Sequence, residues 1–130
     1  SALHQGGDHR DQRLMTRCIL YRDAEGRYTG FEVSGHSGYA EAGSDIVCAA
    51  VSILTTTCVN ALEAVAGVTP MIRGGTDGML GVMLPSPLPP DKLHDCQVLL
   101  KALRQGLADL SEGYPKYVRL SIQERRETSC

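Results

Sequence analysis

The 130-residue chain predicts an α+β fold, a two-layer sandwich in which two helices cover one mainly antiparallel sheet, in the order β-β-α-β-β-α-β. Three observations predict it. Two apolar stripes at helical spacing run from Val47 to Val65 and from Leu93 to Leu110. The apolar segments around them are only four to seven residues long, which suits strands and not helices. The first two pairs of such segments are joined by glycine-rich turn sequences, so hairpins and an antiparallel sheet follow.

Each element has its own local reason. Cys18-Ile19-Leu20-Tyr21 reads as a strand, Asp23-Ala24-Glu25-Gly26 as a turn, and Tyr28 to Ser34 as the returning strand. A glycine-rich loop from Gly35 to Gly43 follows. Ser44 is the expected N-cap of the first helix, with Asp45 favourably placed in its first turn. Val47, Val51, Leu54, Cys58, Leu62 and Val65 form its stripe, while Ile46, Ala50 and Ile53 widen it, so burial on more than one side is expected, by the sheet or by a partner subunit. Gly67 ends that helix.

Pro70–Arg73 and Met79–Leu84 read as short strands around the turn Gly74-Gly75-Thr76-Asp77-Gly78. The Pro85–Pro90 segment is a rigid connector that has no place inside a sheet. Asp91 is the expected cap of the second helix, whose stripe is Leu93, Cys96, Leu100, Leu103, Leu107 and Leu110. Gly113 and Pro115 stop it, and Tyr117–Ile122 alternates as the last strand. Residues 1–14 are polar and read as a disordered leader or expression-tag remnant, 15–124 as a single domain, and 125–130 as a frayed tail.

Composition narrows the function classes. Aromatic residues are 5% and there is no Trp, so the core must be aliphatic. Thirteen Lys and Arg against 15 Asp and Glu give a net charge of -2, which speaks against direct nucleic-acid binding. The five cysteines (Cys18, Cys48, Cys58, Cys96, Cys130) are odd in number and include no C-x-x-C pair. Reduced thiols in a cytoplasmic protein fit them best, and neither a metal nor another cofactor is expected. The apolar run 46–66 carries serine, threonines, Asn60 and Glu63, and reads as a core helix with no membrane role.

The chemistry concentrates in Gly35-His36-Ser37-Gly38-Tyr39-Ala40-Glu41-Ala42-Gly43-Ser44-Asp45-Ile46-Val47-Cys48. Cys48 is the candidate nucleophile, because a nearby imidazole or a helix N-terminus lowers a thiol pKa. His36, at a strand end, is the candidate base and acid. Backbone amides of Gly35, Ser37, Gly38, Gly43 and Ser44 are candidates for holding an oxyanion or shaping the loop over the site. Asp45 is ambivalent. Three residues before Cys48, it shares a helix face and opposes the thiolate by like-charge repulsion, unless it caps the helix or orients His36. Cys58 and Cys96 read as core, and His94 as a surface residue.

Gly-His-Ser-Gly-Tyr-Ala from Gly35, then Gly43 and Asp45-Ile46-Val47-Cys48-Ala49-Ala50-Val51-Ser52, resembles the ribosomal-processing cysteine protease family, Prp. The likeness runs from about Met15 to Glu124 and includes Gly67-Val68 and Gly113-Tyr114-Pro115. It implies a bacterial cytoplasmic endopeptidase that removes an N-terminal extension from a large-subunit ribosomal protein, the one numbered twenty-seven. It further implies Cys48 as nucleophile, His36 as base, Asp45 as a helper, a homodimer, and a mobile loop from Gly38 to Ser44 over the site. The alternatives are a non-catalytic ribosome-assembly binding module with a structural Cys48, which would need a basic face for RNA, and a redox-sensing thiol.

Overall fold

Seven elements form in the expected order: β1 (Thr16–Arg22), β2 (Tyr28–Ser34), α1 (Ala42–Ala64), β3 (Met71–Gly74), β4 (Met79–Met83), α2 (Pro90–Gly113) and β5 (Val118–Glu124). The computed structural model describes residues 15–35, 42–75 and 78–125, with backbone alone for 42–45. The strands make one sheet in the order β3-β4-β2-β1-β5. Three of its pairings are antiparallel, and β1 with β5 is parallel. That parallel edge is the product of a crossover: α2 carries the chain back across the sheet before β5 begins.

Register decides which side chains meet the helices. Cys18 lies opposite Val33 and Leu120, and Leu20 opposite Phe31 and Ile122, while Phe31 also faces Val82. These side chains point to the helix layer, and Leu20, Phe31 and Val82 are almost fully buried. From α1 come Val47, Val51, Cys58 and Leu62; from α2 come Cys96, Leu100, Leu103 and Leu107. Each fully buried Leu contributes about 1.5–3 kcal/mol. The helices pack closely where Gly106 meets Leu54: a Cβ built on Gly106 would lie 2.9 Å from Leu54 Cδ2.

Several local expectations are corrected. Ser44 does not cap the first helix, which is already helical from Ala42. Asp91 is not the cap of α2 either. Pro89 holds that position in an extended conformation, Pro90 opens the helix, and Asp91 lies in its first turn. Pro90 removes one of the free N–H groups of the first turn, and no side chain caps the others. The sheet buries α1 on one side only, with Ile46 and Ile53 more than 60% exposed on the side left to a partner subunit, and Val65, expected on the core stripe, is 66% exposed beyond the end of α1. At the C-terminal end β5 runs through Glu124, and the Arg125 N–H donates to Arg22 C=O (2.7 Å), so the ordered chain outlasts the expected start of the tail. Residues 1–14 and 126–130 lie outside the described residues.

Candidate active site

His36 follows β2 in the sequence, and Cys48 lies on α1. β2 is a central strand, bonded to β1 on one side and β4 on the other. Its start is clamped by Gln97 of α2, whose Oε1 accepts from the Tyr28 N–H (2.7 Å) and whose Nε2 donates to the Tyr28 carbonyl (2.8 Å). The side-chain amide thus stands in for a missing sheet neighbour. Sequence reasoning missed this residue. The signal was available, since Gln97 is a polar residue beside Cys96 on the buried stripe of α2.

β2 ends at Ser34, and Gly35 follows at φ 83°, a left-handed conformation. A Cβ on Gly35 would run into the Met15 carbonyl oxygen. Any larger residue would therefore displace the start of β1, and glycine is required where the chain turns into His36. His36, Ser37 and Gly38 lie outside the described residues, as does the first part of the expected loop. The remainder is corrected: Gly43 and Ser44 belong to α1.

Cys48 is half-buried on α1, next to the buried Val47. The earlier helix start changes its electrostatics. Cys48 is the seventh helical residue, about 9 Å along the axis from Ala42 at about 1.5 Å per residue. Its own N–H lies past the first turn, in the internally bonded part of the helix, and the dipole acts mainly within that turn. The free amides are those of Ala42, Gly43 and Ser44. Side chains on a helix lean toward its N-terminus, so the Cys48 sulfur is directed back along α1 toward that turn. The free amides of Gly43 and Ser44 lie in that turn, and the helix dipole reaches Cys48 only weakly. For Asp45 the backbone is helical.

The other described cysteines are built differently. Cys18, Cys58 and Cys96 are at most 5% exposed. Burial pushes the Cys18 thiol up to about 12 and that of Cys58 to about 11, and raises that of Cys96. Loss of hydration disfavours each thiolate, so these three are held as inert thiols. Cys58 and Cys96 are core residues, as their stripes predicted, and His94 is exposed beside Asp95. Among the described residues no cluster of three metal-ligating side chains occurs. Among the described residues one helix, α1, is long and apolar enough to cross a membrane, but it packs its Val47–Leu62 stripe into the sandwich core.

Known proteins share the sequence and fold of this chain. The model of the family described as cysteine protease Prp matches residues 15–119. The ribosomal processing cysteine protease Prp of Bacillus subtilis (strain 168) is 29% identical over 108 residues, covering 82% of this chain and 96% of that protein. SMU.848 from Streptococcus mutans superposes with a TM-score of 0.75 at 33% identity, covering 85% of this chain and 96% of that one. An essential ribosomal processing protease Prp from S. aureus, crystallised with a covalently linked product peptide, gives a TM-score of 0.71 at 25% identity, covering 83% and 99%.

Proposed function

The chain belongs to the cysteine protease Prp family and is a cysteine protease, and on that footing we propose that it removes the N-terminal extension of a large-subunit ribosomal protein, the one numbered twenty-seven, using Cys48 as nucleophile and His36 as base. The observation that carries this reading is the contrast among the thiols. Cys48 is partly accessible on α1, while Cys18, Cys58 and Cys96 are buried and held protonated. The names of the relatives supply the substrate class, since the B. subtilis protein is a ribosomal processing protease.

In the proposed reaction His36 takes the proton from Cys48, and the thiolate adds to the scissile carbonyl carbon. The resulting oxyanion is stabilised by backbone N–H groups of the α1 start and of the loop after Gly35. Collapse breaks the C–N bond, the leaving amine takes the proton from His36, and a thioester joins the departing extension to Cys48. Water, deprotonated by His36, then cleaves the thioester and restores the thiol. Asp45 orients His36 in this scheme. No cofactor takes part.

The protease acts in the bacterial cytoplasm as a homodimer. The exposed stripe of Ile46, Ala49 and Ile53 on α1 supports the dimer, because it lies opposite the buried stripe and carries no charge, so two copies meet there without like-charge contact. Ile53→Glu should convert the dimer to monomer by light scattering; a monomeric parent protein would refute it.

Cleavage of the precursor ribosomal protein by the parent chain, Cys48→Ala and His36→Ala tests the function. Both variants should lose at least about 10³-fold in rate, as removal of a nucleophile or its base does in related chemistry. Retained cleavage by Cys48→Ala would refute Cys48 as the nucleophile, and no cleavage by the parent chain would favour a binding module with a structural cysteine.

A further inference from the structure

The whole-chain charge of -2 hides a segregation between the two layers. On the helix side α2 exposes Asp91, Asp95, Asp109 and Glu112 against Lys101 and Arg104. The opposite face of the sheet is different. Strand alternation sends Thr16, Cys18 and Leu20 to the core, so Arg17, Ile19 and Tyr21 point outward. By register, Arg119 stands directly beside Arg17 on the parallel neighbour β5, and Arg73 of β3 shares the row of Gly81, Glu32 and Ile19. Arg125 folds over the Tyr21 ring at 4.9 Å. The described outer face therefore carries Arg17, Arg73, Arg119 and Arg125 against Glu32 alone.

We infer that this face binds single-stranded RNA. None of the four arginines has a carboxylate within ion-pair distance among the described residues. Arg17 and Arg119 are like charges on strands about 4.8 Å apart, an arrangement that destabilises a sheet unless an anion lies over it. Beside the arginines is a depression of about 330 Å³ lined by Tyr21, Arg73 and Arg125 together with Glu32 and the methionines Met71, Met79 and Met83. Glu32 is already engaged, accepting a hydrogen bond from the Tyr21 hydroxyl (2.7 Å), which fixes that ring. A fixed aromatic ring with a guanidinium stacked on it offers planar surfaces to unpaired bases, and flanking arginines meet the backbone phosphates. An acidic protein would use the cations but gain nothing from the planar pair, so RNA is the better match.

The inference stands apart from the protease reading and is tested without it. Fluorescence anisotropy with a labelled mixed-sequence RNA 12-mer measures affinity against salt for the full chain. Four neutralised phosphates give a log–log salt slope of about -2.8, so affinity should fall about 50-fold between 50 and 200 mM salt. Arg17→Gln with Arg119→Gln should halve the slope, leaving about a 7-fold fall. Arg73→Gln alone should reduce the slope by about 0.7, which keeps the test valid should the double variant fold poorly. Lys101→Gln with Arg104→Gln, on α2, should change nothing. Cleavage of a short precursor peptide should stay at the parent rate in all of them. No binding at 50 mM salt, an unchanged slope in the Arg17/Arg119 variant, or equal competition by polyglutamate of matched charge would each overturn the assignment, the last in favour of an acidic protein partner.

Discussion

Exposure of the folded chain to iodoacetamide at pH 8 separates the cysteines by their surroundings. The thiolate is the reacting species, so the rate follows the ionised fraction multiplied by access. With its thiol pushed up to about 12, Cys18 is ionised in about one molecule in 10,000 at pH 8. Cys58, near 11, is ionised in about one in 1,000. An unhindered cysteine with the ordinary value of about 8.5 is about one-quarter ionised at that pH. Ionisation alone therefore places Cys58 about 250-fold, and Cys18 more than 2,000-fold, behind a free thiol. Burial below 6% exposure slows both further, since reagent must wait for local opening. Digestion and mass spectrometry at timed intervals should find Cys48 modified first, with loss of proteolytic activity following its modification one for one. Equal or faster labelling of Cys18 or Cys58 would refute the account of which thiols the fold silences. Labelling of Cys48 without loss of activity would remove it from the mechanism.

Two further perturbations test the frame around the site. Gln97→Leu leaves the Tyr28 N–H and carbonyl without their partners on a residue only 3% exposed, at about 1–3 kcal/mol per orphaned group. The melting temperature should fall by about 10 °C and cleavage should slow as β2 loosens; an unchanged melting curve would mean the clamp carries no weight. Alkaline stability should decline, because the native state binds the Cys18 and Cys58 protons more tightly than the unfolded chain does. The sign is fixed by the raised values: the contribution is complete below about 8.5, and is lost as pH rises toward about 11 for Cys58 and about 12 for Cys18. Cys18→Ala should show a shallower drop in melting temperature between pH 8 and 10.5 than the parent; an equally steep drop would assign the loss to other groups.

The elements legible in the sequence are those whose physics is local. β2 was bounded correctly at Tyr28 and Ser34 by its alternation and by the turn before it. The stripes of α1 and α2 named most of their buried residues, down to Cys58 and Cys96, whereas Val65 is exposed beyond the end of α1. The start of α1 was not legible, because Gly43 and Ser44 have poor helix propensity and good loop chemistry, yet both continue the helix. Nor was the pairing of β1 with β5, since nothing within 118–124 records which edge a crossover will reach. The arginine face was hidden for a related reason. Its members are spread from residue 17 to residue 125, and only register gathers them. Of the site, Cys48 could be singled out because the cysteines on the stripes were assigned to the core, but the distance from helix start to thiol depended on the boundary that propensity misplaced.

That boundary reopens the question of Asp45. Had the helix begun after Ser44, Asp45 would have stood in the first turn, where a carboxylate meets unpaired N–H groups and a favourable dipole. With Ala42 helical, the unpaired amides are those of residues 42–44, and Asp45 is the fourth helical residue. A capping role is thereby weakened, and an uncompensated carboxylate three residues before a nucleophilic cysteine would oppose the thiolate by like-charge repulsion. The arrangement makes chemical sense if Asp45 is spent on the imidazolium of His36, where its charge favours the His36–Cys48 ion pair over the neutral pair. Asp45→Asn should then lower kcat at least about 10-fold and shift the acid limb of the pH–rate profile, with a stability change within about 0.5 kcal/mol. A pure cap would show the opposite pattern, a loss of about 1 kcal/mol in stability with cleavage intact. Faster alkylation of Cys48 in Asp45→Asn, together with undiminished cleavage, would show that the carboxylate opposes the thiolate and has no part in catalysis.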